Sequence, residues 1–471
     1  MAVFFNVGET KKRPGVYQRH TNAGASAPTS AQDGFCAIPV QAAWGPLGKV
    51  VKNSHPSDLT KTYGSGTYGK GYTVPAAAAM FNGGASTVYT YRLGTGGKKA
   101  TLEIAEGLTA TAKYPGTMAI NVAVIEKLGD SSKKQLQVYA GTTLVESFDF
   151  AADGANEGAN LIAAAKSNYL DLTGAAATIP VLAVASGALS GGENPVVTNA
   201  DYSAAFAALE PYYYNCIALD VDDDETMTLS LLLHSYLSNA SKLGKLGMAV
   251  VGEKTTVSFE DRCAHAADFN DCKVVYLGGG WMSGSENLDG VMAICYTAGV
   301  IASTPSNQGI VHKVIGGATE LCESVTFSQY EQAIDSGMLM VAMATDGAIW
   351  YDSGINTLIT PEISTQDEGW KKIRRTKTRC ELIDRLDRAL APKVGRVTAD
   401  SDGISDIIQT GQRVLDQMAY NEGKLAPGAT FIEDPSNPHT SDSGWFVVDS
   451  YDNDSLEKIY LQYLFRYSQK S

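Results

Sequence analysis

The sequence is short of paired cysteines, of histidine and of positive charge. Its seven cysteines show no CxxC spacing, which leaves neither a disulfide framework nor a zinc ribbon to read. They fit reduced, mostly buried small hydrophobes from a reducing folding environment. Six histidines are scattered with no His-x-x-x-His or His-Glu-x-x-His pair. Lysine and arginine number 37 against 51 aspartates and glutamates, a net charge of −14. Neutralising phosphates takes a basic face, so general nucleic-acid binding and attachment to anionic membranes are both disfavoured. No run approaches the ~20 apolar residues that cross a bilayer. Ala2-Val3-Phe4-Phe5 is far short of a secretory apolar region, so the expectation is a chain made inside a cell with nothing directing export or insertion.

What is present suits a packed, multidomain protein. With 44% hydrophobic residues over 471 positions, the chain can bury sizeable cores, about three domains at roughly 150 residues each. Only 19% of residues are charged, below the roughly 25% of an average soluble protein.

Val3, Phe5 and Val7 alternate as a short strand does, and a small-residue tether over 21–33 follows. Residues 35–40 read as a buried strand. Pro75 suits the first turn of a helix that stops at Asn82-Gly83-Gly84, and 86–93 reads as the next strand. Between Gly94-Thr95-Gly96-Gly97 and Gly191-Gly192, short alternating segments (99–105, 118–126, 136–139, 145–150) predict a β-rich unit inserted into a larger domain. From 201 to about 360 helices (202–209, 226–243, 290–303) alternate with buried strands (215–219, 246–251, 274–276, 339–344), which implies an α/β layer with a mostly parallel sheet. Residues 370–425 look mainly helical, and 445–449 and 456–467 look like strands. In the last, Ile459, Leu461, Tyr463, Phe465 and Tyr467 share one face at period two. It reads either as an internal strand of a C-terminal domain or as a strand completed elsewhere, because frayed chain ends are normally polar.

Motifs for chemistry fail on inspection. Gly64-Ser65-Gly66-Thr67-Tyr68-Gly69-Lys70-Gly71 has phosphate-loop spacing, but Gly71 stands where a Mg²⁺-binding hydroxyl is needed. Cys263, His265 and Cys272 lack a fourth metal ligand. Asp220, His234 and Ser303 give an Asp–His–Ser order without a nucleophile elbow. The acidic run Asp220-Val221-Asp222-Asp223-Asp224-Glu225 lacks the glycine and terminal glutamate of a calcium loop, and reads as a turn leading into a helix N-terminus. Lys371, Lys372, Arg374, Arg375, Lys377 and Arg379 put six cations in nine positions. This run is either a solvated face or a docking surface for an acidic partner, another copy included.

Several pieces together resemble the contractile tail sheath family of bacteriophages and phage-tail-like particles. They are Arg13-Pro14-Gly15-Val16-Tyr17; Phe81-Asn82-Gly83-Gly84 with Val88-Tyr89-Thr90-Tyr91-Arg92; Gly191-Gly192-Glu193-Asn194-Pro195 with Asp201-Tyr202; and Ala298-Gly299-Val300-Ile301-Ala302-Ser303-Thr304-Pro305. Gly354-Ile355-Asn356-Thr357-Leu358, Lys377-Thr378-Arg379-Cys380-Glu381-Leu382-Ile383-Asp384 and Leu456-Glu457-Lys458-Ile459-Tyr460 complete them, in an order that spans nearly the whole chain.

The resemblance implies an α/β and α+β multidomain subunit. Its parts are a linker arm (1–33), a central α/β domain (34–95 with 191–360) with a subtilisin-like layer that has lost the protease site, an inserted β-rich outer domain (96–190), and an α+β C-terminal domain (361–471). It further implies six-membered rings of copies stacked around an inner tail tube, with baseplate and tail terminator proteins at the ends. The arm (Val3, Phe5, Val7) and the C-terminal strand (Ile459, Leu461, Tyr463, Phe465) would join sheets of neighbouring copies, and contraction would drive the tube through a cell envelope. No catalytic residue, cofactor, metal, nucleic acid or membrane insertion is implied. The implied location is a virion tail or tail-like particle assembled in the bacterial cytoplasm. A subtilisin-like hydrolase and a non-contractile surface-layer protein are the competing expectations.

Overall fold

The computed structural model describes residues 32–64, 71–174, 179–224, 226–440 and 442–465, with the backbone of Val3–Phe4 and Tyr17–Gln18. They divide into two compact units. One is Gln32–Cys380 with the segment from Asp454; the other is Glu381–Asn453 with the N-terminal arm.

The larger unit is organised by a seven-stranded sheet in the order Met338–Leu339, Val274–Leu277, Met248–Gly252, Cys216–Ile217, Phe35–Val40, Thr87–Arg92, Val50–Asn53. Every neighbouring pair is parallel except the last, where Val50–Asn53 runs antiparallel along the edge. The strands are apolar on both faces, as a sheet covered on both sides requires. Alternate residues go to opposite cores. Cys36, Ile38, Val250, Val275 and Leu339 pack on one side, with the helices Thr73–Asn82 and Val291–Ser303. Ala37, Ile217, Ala249, Tyr276 and Met338 pack on the other, with Asn199–Leu209, Thr228–Lys242 and Phe259–Phe269.

Small residues let the first helix pair cross closely. A methyl group on Gly299 would fall on the Met80 carbonyl, and one on Gly83 on the Tyr296 carbonyl. Asp201 caps its own helix, accepting from the Thr198 amide at 2.8 Å, as a capping box does. The expected strand over 339–344 is two pieces: Met338–Leu339 ends the large sheet, while Val341–Met343 pairs with Ile349–Tyr351. Three residues cannot serve both ladders, so the chain changes sheet at Met340.

The inserted region is β-rich, as its alternation predicts. Thr143–Ala151, Lys133–Ala140, Ile120–Glu126 and Ala185–Ala188 form one antiparallel sheet; Leu170–Gly174, Leu108–Ala112 and Thr101–Ala105 form another. Their inward residues, among them Leu108, Val122, Leu136, Val138, Phe150 and Leu170, make a separate core together with Leu161 of the helix Glu157–Ala164. The region enters and leaves through a two-stranded stalk bridged at Thr95–Val196, Lys98–Glu193 and Thr101–Ser190. The buried Arg92 guanidinium fixes this stalk to the large sheet, donating to the carbonyls of Ala42 at 3.0 Å, Gly45 at 2.7 Å and Pro115 at 2.9 Å. Three carbonyls hold one buried cation here, which meets the cost of removing it from water.

The smaller unit contains residues 381–390 of the helix Ile373–Leu390, the helix Ser401–Asp416, and a hairpin of Thr430–Glu433 with Phe446–Asp449. Leu382, Leu415, Met418, Leu425 and Phe431 form its core. Three buried charges, Glu381, Arg385 and Lys424, and the half-buried Glu422 form a network beside it. Arg385 makes a two-pronged pair with Glu422, both bonds 2.7 Å, and also meets Glu381 at 2.5 Å; Lys424 joins both carboxylates at 2.7 and 2.8 Å.

Candidate functional site

Two regions expose more apolar surface than scattered side chains do. The first is the hairpin of the smaller unit. Among the described residues its sheet has two strands. On one edge the Gln412 side chain accepts from the Phe431 amide at 2.9 Å and donates to the Ala429 carbonyl at 2.9 Å. No further strand pairs with either edge, where Ile432, Trp445, Val447 and Val448 are exposed. Two strands alone make a marginal sheet; a third strand or a helix packed against it stabilises one, and here the helix Ser401–Asp416 brings Gly411 against the Phe431 ring. The hairpin's inner face is anchored by Phe431 stacked on Phe446, ring centres 5.4 Å apart.

The second is the C-terminal segment. The period-two pattern predicts a strand over 456–467; among the described residues, 456–465 take no strand and pair with no ladder. Ile459 is 71% exposed and Phe465 93%, and Leu456, Tyr460, Leu461, Tyr463 and Leu464 are exposed with them. The rings of Tyr463 and Phe465 lie 6.1 Å apart and nearly parallel, which places residues i and i+2 on one side as extended backbone does. A run of seven large apolar side chains in solvent is far beyond scattered surface hydrophobes. The arm's Val3–Phe4 pairs in parallel with Tyr17–Gln18. Phe5 and Val7, and the side chain of Val3, lie outside the described residues, as do Arg466 and Tyr467.

The basic run opens the helix Ile373–Leu390, and its cations have partners within their own unit. Lys371 meets Glu368 at 2.8 Å; Lys372 meets Asp454 at 2.7 Å and Glu457 at 3.0 Å. Arg374 donates to the Ser455 hydroxyl at 2.7 Å. Lys377 donates to the carbonyls of Ile301, at 2.6 Å, and Thr304, at the end of the helix Val291–Ser303. Arg379 pairs with both oxygens of Asp367 and lies 4.8 Å from the Trp370 ring centre. Arg375 packs against Gly369. Partial burial alone would pull the Lys372 ammonium below its ordinary pKa; the hydrogen bonds it donates to Asp454 and Glu457 outweigh that and raise the value. The hydrogen bond from Arg379 holds the Asp367 carboxyl below the usual carboxylate range.

The chemical motifs disperse. Asp220 is fully buried and accepts from the Gln41 amide at 2.5 Å and the Tyr202 hydroxyl at 3.3 Å. Burial pushes its carboxyl up to about 7, against the lowering effect of those bonds. His234 meets Asp271 at 3.0 Å, and Ser303 donates to the carbonyls of Gly83 and Val300. Each member of the Asp–His–Ser order is thus committed to a different partner. Residues 56–63, ahead of the glycine-rich loop, are helix rather than the strand a phosphate loop follows; 65–70 lie outside the described residues. His265 bonds Glu253 at 2.7 Å, and among the described residues no cluster of three metal-ligating side chains occurs. Asp223 and Asp224 accept from the amides of Leu229, Ser230 and Thr228, capping the next helix.

Comparison with known proteins finds similarity to tail sheath proteins. Residues 196–353 match the family described as the phage tail sheath protein central domain. The fold and the motif order agree: the chain resembles contractile tail sheath proteins over nearly its whole length. The phage-like element PBSX protein XkdK of Bacillus subtilis (strain 168) is 24% identical over 468 residues, covering 96% of this chain and 93% of that one. A sheath tail protein from Listeria innocua shares the fold at 19% identity, with a TM-score of 0.70 over 90% of this chain and 96% of its own. The anti-feeding prophage helical sheath in its contracted state aligns at 12% identity and TM-score 0.55, covering 97% and 99%.

Proposed function

We propose that this chain is a structural subunit of a contractile tail sheath, polymerising as stacked six-membered rings around an inner tube and contracting to drive that tube through a cell envelope. The observation that carries the proposal is the pairing of an excess with a lack: an exposed apolar segment, 456–465, and a two-stranded hairpin that no further strand among the described residues joins. A strand lent by one copy to the hairpin of the next satisfies both. The arm, with Val3, Phe5 and Val7, lends a second strand. Four backbone hydrogen bonds at roughly 0.5–1.5 kcal/mol each, with Ile459, Leu461 and Phe465 adding at most about 1.5–3 kcal/mol apiece, make each link worth several kcal/mol before the cost of association. Such a link survives while rigid bodies re-pack between two lattice states.

In this reading the large sheet is a subtilisin-like layer put to structural use, without catalysis, and the inserted region faces outward. The basic run braces its own unit and turns its remaining charge toward the acidic tube or a neighbouring subunit. Baseplate and terminator proteins close the ends, and assembly takes place in a bacterial cytoplasm. Removing residues 456–471 should leave a folded, soluble chain that forms no tubes under the electron microscope. Ordinary sheaths from that variant would refute strand lending.

A further inference from the structure

The basic run sits where a helix least tolerates it. The helix Ile373–Leu390 has no acidic residue in its first turn, while Lys372, Arg374 and Arg375 crowd the end at which the helix dipole already places positive charge. That end seeks anions, and the chain supplies them from 82 residues away: Asp454 and Glu457 both reach Lys372, and Ser455 between them accepts from Arg374. Gly309 backs the same spot, where even a methyl group would come within 3.1 Å of the Ser455 hydroxyl. The exposed run of large apolar side chains continues immediately beyond, from Ile459.

We propose that Lys372 and Arg374 are positioning residues for strand donation. They clamp the root, 454–457, onto the larger unit, so that the donated segment begins at Lys458 with a set origin and direction. A flexible link dilutes the end it carries, whereas a short one raises its effective concentration at the target. Clamping four residues therefore speeds capture by the acceptor hairpin without adding a contact to it. This inference rests on the strand-lending reading above.

The test uses the full chain, with assembly rate followed by light scattering and root mobility by amide hydrogen exchange over 454–457. Lys372→Glu should slow assembly at least tenfold and speed exchange in the root, with the monomer's melting temperature unchanged. The pair Asp454→Asn with Glu457→Gln, which leaves the helix untouched, should do the same. Combining Lys372→Glu with Asp454→Lys and Glu457→Lys should restore both readouts. Wild-type assembly rates in Lys372→Glu and in the Asn/Gln pair, or a charge-swapped variant that stays slow, would overturn the clamp. Truncation after Glu457 separates the two ideas: if it abolishes assembly while the clamp variants assemble normally, only the clamp falls; if the truncated chain assembles, strand lending falls with it.

Discussion

The molecule's large sheet and its hairpin solve the same problem in opposite ways. In the large sheet seven strands lie side by side, helices cover both faces, and alternate residues such as Ile38 and Ala37 reach separate cores. The hairpin has two strands, an apolar face on Phe431, and edges that no further strand among the described residues joins; the Gln412 side chain bonds one of them. In the proposed reading the large sheet is complete in one copy, and the hairpin is completed by a strand from another. That contrast suits a machine whose bodies must stay rigid while the links between them persist through a rearrangement.

The contrast can be broken or sharpened by mutation. The largest expected effect on the monomer is at Arg385. Replacing it with alanine leaves Glu381 and Glu422 with only Lys424 of the two buried cations they share, at up to about 3–5 kcal/mol; hydrogen exchange should show the smaller unit opening while the large sheet stays protected. Next is Gly299→Ala, where the added methyl meets the Met80 carbonyl. Overpacking of this kind costs about 1–3 kcal/mol, read as a lower urea midpoint for the larger unit.

Asp220 gives a smaller, pH-dependent effect. Its folded carboxyl titrates at about 7, against an ordinary 3.8. Between those values the folded chain keeps a proton that the unfolded chain has lost, so stability falls as pH rises from about 4 through 7. Asp220→Asn should flatten that slope in melting curves. The smallest effect on the monomer belongs to the C-terminal segment: Leu461→Ser should change stability by less than about 0.5 kcal/mol yet weaken polymerisation strongly, because the side chain is 69% exposed in its own copy.

Much of this was legible in the residues. The β-rich insertion announced itself because its inward positions recur at period two between turn residues, and Val122, Val124, Leu136 and Val138 are indeed core. The helix Glu157–Ala164 was not foreseen, since its one large buried apolar residue, Leu161, sets no period. Strands expected over 215–219 and 339–344 were too long, because apolar residues continue past the ladder into the cores: Ala218 and Leu219 are buried beyond Cys216–Ile217.

The apolar periodicity of 456–465 was visible, but the pattern alone left two readings, an internal strand or one completed elsewhere, since side-chain period does not say where a neighbouring strand lies. The basic run reads equally as a solvated face or a docking surface in sequence because the counter-ions of Lys372, Asp454 and Glu457, lie more than eighty residues away. Ion pairs over that distance in sequence leave no local signature.

The most direct test places a photo-crosslinking amino acid at Leu461 in an equal mixture of ¹⁴N- and ¹⁵N-labelled chains, allowed to polymerise and then mapped by mass spectrometry. Strand lending predicts crosslinks into 430–433 or 446–449 that join light to heavy peptides. Crosslinks that join only peptides of the same label, or that fall within 32–380, would contradict it.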